Sequence, residues 1–114
     1  MAKDNIILDK TFDFALKIIS LYKHLISKNE YVLSKQILRS GTSVGANVEE
    51  AVGGHSRKDF TAKMIIAYKE ARETRYWLRL LDKSQIVQQD YSTYINEIQE
   101  IINILTAIIK TSKE

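Results

Sequence analysis

Residues 40–51 read SGTSVGANVEEA, and this run decides the fold. It lies inside a longer stretch with helical periodicity, yet it carries Gly41 and Gly45, and glycine costs a helix interior about 1 kcal/mol relative to alanine. The absent side chains therefore have a use, and the use expected here is close contact with another helix. Leu33, Ile37, Ser40, Val44, Val48 and Ala51 recur at helical spacing and form one stripe. Gln36, Arg39, Ser43, Asn47 and Glu50 form a second. The two stripes describe a helix with an apolar face and a hydrogen-bonding face. For the polar stripe we expect a structural role: Arg39 and Glu50 paired or hydrogen-bonded against neighbouring helices through Ser43 and Asn47, and buried. On that reading Glu50→Ala unfolds or disassembles the protein. The alternative is a solvated surface.

Outward from this helix the chain offers few breakers. It has no proline and four glycines, of which Gly53 and Gly54 are adjacent. Long helices are permitted, and at 114 residues with 45% hydrophobic content the chain fits one domain, residues 1–114. The periodicity predicts helices over about 9–27, 31–52, 57–82 and 90–111, an all-α, antiparallel up-down four-helix bundle. Gly53-Gly54 supply a stop by tolerating the left-handed conformation that ends helices. Ser56 and Asp59 fit an N-cap followed by an acid near the positive end of the helix dipole. The third helix presents Phe60, Met64, Ala67, Ala71, Thr74, Leu78 and Leu81 to the core, with alanines shallow enough to approach the small residues of the second. The fourth repeats Tyr91, Ile95, Ile98, Ile102, Leu105 and Ile109.

The first helix carries two apolar lines. One is Phe12, Ala15, Ile19, Tyr22 and Ile26; the other is Phe14, Ile18, Leu21 and Leu25. A helix in a small monomer needs one core stripe, so the second line points to burial against another subunit, or else to a wide core face.

Several function classes are poorly served. There is no cysteine, hence no disulfide or thiolate chemistry, which suits a reducing cytoplasm. The N-terminus MAKDNIILDK has no apolar run of signal-peptide length, and IINILTAII is short and interrupted by Asn103 and Thr106, so neither secretion nor membrane spanning is expected. His24 and His55 belong to no metal-ligand pattern, and no Ser, His and acid form a recognisable nucleophilic motif. No catalytic residue, metal or cofactor is expected, and the chain reads as non-enzymatic.

Charge is more informative. The net charge is only +3, but residues 57–83 hold eight Lys or Arg against four Asp or Glu. Within that element Tyr68, Arg72, Arg75 and Arg79 share a face. Arginines grip phosphates and a tyrosine between them stacks on a base, so this stripe is the candidate RNA- or DNA-binding surface. The competing reading is a solvated face with ion pairs to Glu73 and Asp82. A symmetric oligomer repeats the local surplus into a large basic surface.

SGTSVGANVEEA together with SRKDFTAKMIIAYKEARETRYWLRLL is specific enough to name a likeness. On Arg39-Ser40, Ser43, Ala46-Asn47-Val48, Glu50-Ala51, Ser56, Asp59-Phe60, Glu73-Thr74 and Tyr76-Trp77-Leu78, the chain resembles the 23S ribosomal-RNA intervening-sequence protein family, also called four helix bundle proteins. The match spans about Tyr31 to Leu81; Ala51 stands where many members have Gly. The resemblance implies an antiparallel four-helix bundle assembled into a ring-like homopentamer, and brings no catalytic residues. Through the related accessory proteins of diversity-generating retroelements it implies a basic barrel that binds nucleic acid and a reverse transcriptase. Two functions follow as expectations: an oligomeric scaffold that binds RNA or DNA through the third helix, or a protein-binding adapter whose basic charge is incidental.

Overall fold

Sequence neighbours pack against each other around one core. In the computed structural model, which describes the backbone of residues 2–114 and side chains from residue 6 onward, the elements are α1 (Ala2–Ser27), α2 (Leu33–Val52), α3 (Arg57–Ser84) and α4 (Ser92–Ser112). There is no strand among the described residues. Each helix touches its neighbours in sequence, and α4 closes back on α1. Cross-helix contacts run in opposite registers at every seam: Ile18 with Gly41 and Thr11 with Gly45, Arg39 with Glu73 and Glu50 with Lys63, Arg75 with Gln99 and Thr61 with Ser112, Lys10 with Glu100 and Lys17 with Glu97. All four seams are therefore antiparallel, in a body of 44 × 19 × 19 Å.

The core faces of α2 and α3 follow their sequence stripes. Ile37, Ser40, Val44, Val48 and Ala51 are buried, as are Met64, Ala67, Ala71, Thr74, Leu78 and Leu81. On α1 the core takes Phe14, Ile18, Leu21 and Leu25, joined by Ile7, so the helix begins well before the expected residue 9 because the same line continues upstream. On α4 the buried set is Ile98, Ile101, Ile102, Leu105 and Ile108, leaving Ile95 and Ile109 half-buried.

The glycines do what their cost implied, but against α1. A Cβ on Gly41 would lie 2.9 Å from Ile18 Cγ2, and one on Gly45 would lie 3.3 Å from the Thr11 carbonyl oxygen. Toward α3 the small contact is polar: the Ser40 and Thr74 hydroxyls lie 2.9 Å apart in the core. Thr74 Oγ1 is also 2.8 Å from the Glu70 carbonyl. It has one proton to give, so it donates to the carbonyl and accepts from Ser40.

Two expectations about helix ends need correction. Gly53 sits at φ −82°, and no glycine has positive φ. The end of α2 is closed instead by Gly53 N–H donating to Glu49 O and Gly54 N–H to Ala51 O. A Cβ on Gly54 would approach Ala51 O to 3.2 Å, so close approach rather than handedness favours glycine there. The left-handed positions are Asn29 and Gln85, after α1 and α3. The second correction is the start of α2, at Leu33 rather than 31. The buried Glu30 carboxylate accepts from the N–H groups of Val32 (3.1 Å), Leu33 (3.0 Å) and Ser34 (2.6 Å), which fixes the first turn. Ser56 caps α3 as expected, accepting from Asp59 N–H at 3.1 Å.

Candidate nucleic-acid interface on the α3–α4 seam

The polar stripe of α2 is not a buried network. Gln36, Arg39 and Glu50 are exposed, and only Ser43 and Asn47 are half-buried. Ser43 Oγ donates to the Ser40 carbonyl and Asn47 Nδ2 to the Ser43 carbonyl, so both are satisfied within their own helix and need no neighbour. Arg39 and Glu50 do pair against a neighbouring helix, but at the surface and not through Ser43 and Asn47. Arg39 bridges Glu70 and Glu73 on α3, and Glu50 meets Lys63 at 2.8 Å. With these side chains about half in water, the ion pair contributes little, and removing Glu50 should leave the protein folded. The Trp77 indole N–H, donated to Glu73 at 2.9 Å, holds that carboxyl below its usual range, and Arg39 adds to the effect. Arg39 is in turn raised, chiefly by Glu73.

Tyr68, Arg72 and Arg75 lie along the flank of α3 beside α4, and helical spacing continues the same face to Arg79. Tyr68 and Arg75 are half-buried; Arg72 and Arg79 are exposed. Arg72 Nη1 donates to the Tyr68 hydroxyl at 3.2 Å, and its guanidinium lies 5.8 Å from the ring centroid. Arg75 Nη1 donates to Gln99 Oε1 at 2.7 Å, and Gln99 Nε2 to Asn103 Oδ1 at 3.0 Å. Neither the Glu73 nor the Asp82 pairing of the competing reading forms: Glu73 faces α2, held by Arg39 of that helix and by Trp77 of its own.

The seams differ in how their cations are answered. At α1–α4, Lys10 meets Glu100 at 3.0 Å and Lys17 meets Glu97 at 2.5 Å. At α2–α3, Arg39 and Lys63 meet three carboxylates. At α3–α4 Arg72 faces a phenol and Arg75 an amide, and none of the ion pairs among the described residues involves Lys69, Arg72, Arg75, Arg79, Lys110 or Lys113. One flank of the protein thus presents cations without counter-ions. The sequence carried a sign of its α4 half: Gln99, Asn103, Thr106, Lys110 and Lys113 recur at alternating steps of four and three with no acid among them. That line went unread because the apolar stripe of α4 dominates its periodicity.

On the opposite flank, Phe12, Leu16 and Ile19 stand 61%, 52% and 37% exposed. With Leu8, Thr42 and Ala46 they line an open groove of about 430 Å³ between α1 and α2. Phe12 and Ile19 belong to the apolar line that runs through Ala15, Tyr22 and Ile26, whose other members are half-buried; Leu16 joins them at the surface though the line does not include it. Among the described residues no cluster of three His, Cys, Asp or Glu can hold a metal, and no helix is long and apolar enough to cross a membrane.

These features define an all-α four-helix protein with one flank of unanswered cations and an uncovered apolar ridge on another. The chain belongs to the 23S rRNA-intervening sequence protein family, whose profile matches residues 3–107. A solved structure similar to it is that of a protein of unknown function from the S23 ribosomal protein family of Bacteroides thetaiotaomicron. That protein is 49% identical, with 95% of this chain and 98% of that one covered and a TM-score of 0.90. Among curated proteins none matches.

Proposed function

We propose that the protein is a non-enzymatic, cytoplasmic scaffold that binds RNA or DNA through the α3–α4 seam and acts as a homopentamer. The observation that carries the nucleic-acid reading is the contrast between seams. At the α1–α4 and α2–α3 seams Lys10, Lys17, Arg39 and Lys63 are matched by carboxylates, whereas Arg72 is held by a phenol and Arg75 by an amide, which orient them without neutralising them. An oriented, unneutralised guanidinium is ready for a phosphate oxygen. Assembly is supported by the apolar ridge on α1, since an uncovered line of large side chains is a common mark of a subunit contact. The number five comes from the family resemblance. Five copies multiply the +3 net charge of each chain and bring five seams into one field.

The test is fluorescence anisotropy of nuclease-treated protein with labelled RNA and DNA across a salt series, beside the Arg72→Gln/Arg75→Gln/Arg79→Gln variant. We expect binding that falls steeply with salt and a triple variant that assembles and melts normally but binds at least tenfold more weakly. Equal affinity in a folded triple variant refutes this site. Absence of binding at low salt leaves the adapter reading, in which the ridge and the arginines engage a protein such as a reverse transcriptase.

A further inference from the structure

Toward the N-terminal half of α3 the basic seam opens into a cavity of about 390 Å³, a volume within the range of about 300–1,000 Å³ common for small-molecule sites. Ile65 and Ile109 supply apolar lining, Tyr68 an aromatic one, and Lys69, Lys110 and Lys113 ammonium groups. All three lysines are exposed and stand outside the ion pairs of the described residues. Arg72 holds Tyr68 by its hydroxyl and lies over its ring. The hydroxyl of Thr106 donates to the Ile102 carbonyl, so inside the cavity it can only accept.

We propose that this cavity is a base-binding slot for single-stranded nucleic acid, with the unpaired base against Tyr68, Ile65 and Ile109 and the flanking phosphates on the lysines. The inference rests on the nucleic-acid reading above and narrows it to a strand class. The two halves of the slot ask for opposite things, an apolar flat group and several negative charges, and a nucleotide in a strand is a ligand that supplies both. In a duplex the bases are stacked and paired and cannot enter without being extruded, whereas an unpaired strand offers its π-faces directly. From Tyr68 the strand continues past Arg72 and Arg75 to Arg79, about 16 Å along α3 at the rise of an α-helix. The sequence-tolerant stacking of base on aromatic ring favours single strands without fixing which base is held.

The experiment uses the full chain and an oligonucleotide carrying 2-aminopurine, offered single-stranded and as its duplex, as RNA and as DNA. We expect the single strand to bind at least tenfold tighter than the duplex and its fluorescence to be quenched on binding. Lys69→Gln/Lys110→Gln/Lys113→Gln should lower the slope of log K against log salt by about 2, at about 0.7 per phosphate contact on a single strand. Lys23→Gln/Lys28→Gln/Lys35→Gln makes the same change in net charge on other surfaces and should leave the slope unchanged. Tyr68→Leu should abolish the quenching and weaken single-strand binding by about tenfold. Tyr68 is half-buried, so the exposed lysine set decides the matter if that variant melts early. Equal affinity for duplex and single strand overturns the slot, as does a lysine variant indistinguishable from its control. If the arginine variant still loses binding in that case, the seam reading survives. No binding of any nucleic acid by the wild type overturns both.

Discussion

Glu30 and Glu50 flank the two ends of α2, and their replacement by alanine should have very different consequences. Glu30 is 6% exposed, and its two carboxylate oxygens accept three backbone N–H groups of the first turn. Losing an N-cap costs about 1 kcal/mol, and hydrogen bonds to a charged group are worth about 1.5–3 kcal/mol each. Allowing water to reach some of the freed amides, Glu30→Ala should lose about 3 kcal/mol. Unfolding entropy near 2.1 cal/mol/K per residue turns that into a fall in Tm of about 12 °C for a chain of this length. Glu30→Gln keeps the shape but replaces one acceptor oxygen with a donor and should fall between. Glu50 makes one surface ion pair with Lys63, both side chains well exposed, worth about 0.5 kcal/mol or about 2 °C. Circular-dichroism melts of all variants at one fixed protomer concentration decide the question, since the proposed assembly would make Tm concentration-dependent. A Glu30→Ala variant that melts with the wild type refutes the capping account, and a Glu50→Ala variant that unfolds restores the buried polar stripe.

Gly41→Val should cost about 2 kcal/mol by driving a side chain into Ile18, already 2.9 Å from where the Cβ would stand, and Ile18→Ala in the same chain should recover part of it in urea unfolding. Phe12→Asp with Leu16→Asp removes the α1 ridge without touching the core; light scattering should find a smaller assembly with unchanged helicity, and an unchanged mass rules the ridge out as the contact. Tyr91 is buried with its hydroxyl donating to the Val87 carbonyl, and burial raises its pKa from 10.0 to about 12. A group that holds its proton more tightly when folded contributes stability that is complete below pH 10 and is lost as pH rises to about 12. Tyr91→Phe should flatten the alkaline stability profile over that window, and an identical profile would show that other groups govern it.

The helices and core faces of α2 and α3 were legible because a 3.6-residue period leaves its mark wherever one stripe is apolar. The two lines of α1 were visible too, but periodicity cannot say which of two apolar lines faces inward. Ile7 settles it, since it extends only the Phe14 line into the core. The polar stripe misled because Ser43 and Asn47 can satisfy themselves on their own helix, a local solution that spacing does not distinguish from a buried network. Glu30 was missed because Glu is not among the usual capping residues, and its role depends on the turn at Asn29, whose positive φ of 64° no pattern announces. The arginine face was found on α3 alone. What it faces is set by the partner helix, and the absence of carboxylates on that side of α4 becomes meaningful only once the two helices are placed together.

The order in which the helices meet also bears on how the protein reaches its final form. Three of the four seams join helices that are adjacent in sequence, and the chain contains no proline. Such a topology closes short loops first and has no prolyl bond to isomerise, so a protomer should collapse and fold within milliseconds in a single phase. The proposed docking of subunits would, by contrast, proceed at a rate set by how often protomers collide. A slow phase that accelerates with protein concentration would therefore be the kinetic signature of the proposed assembly, separate in time from folding.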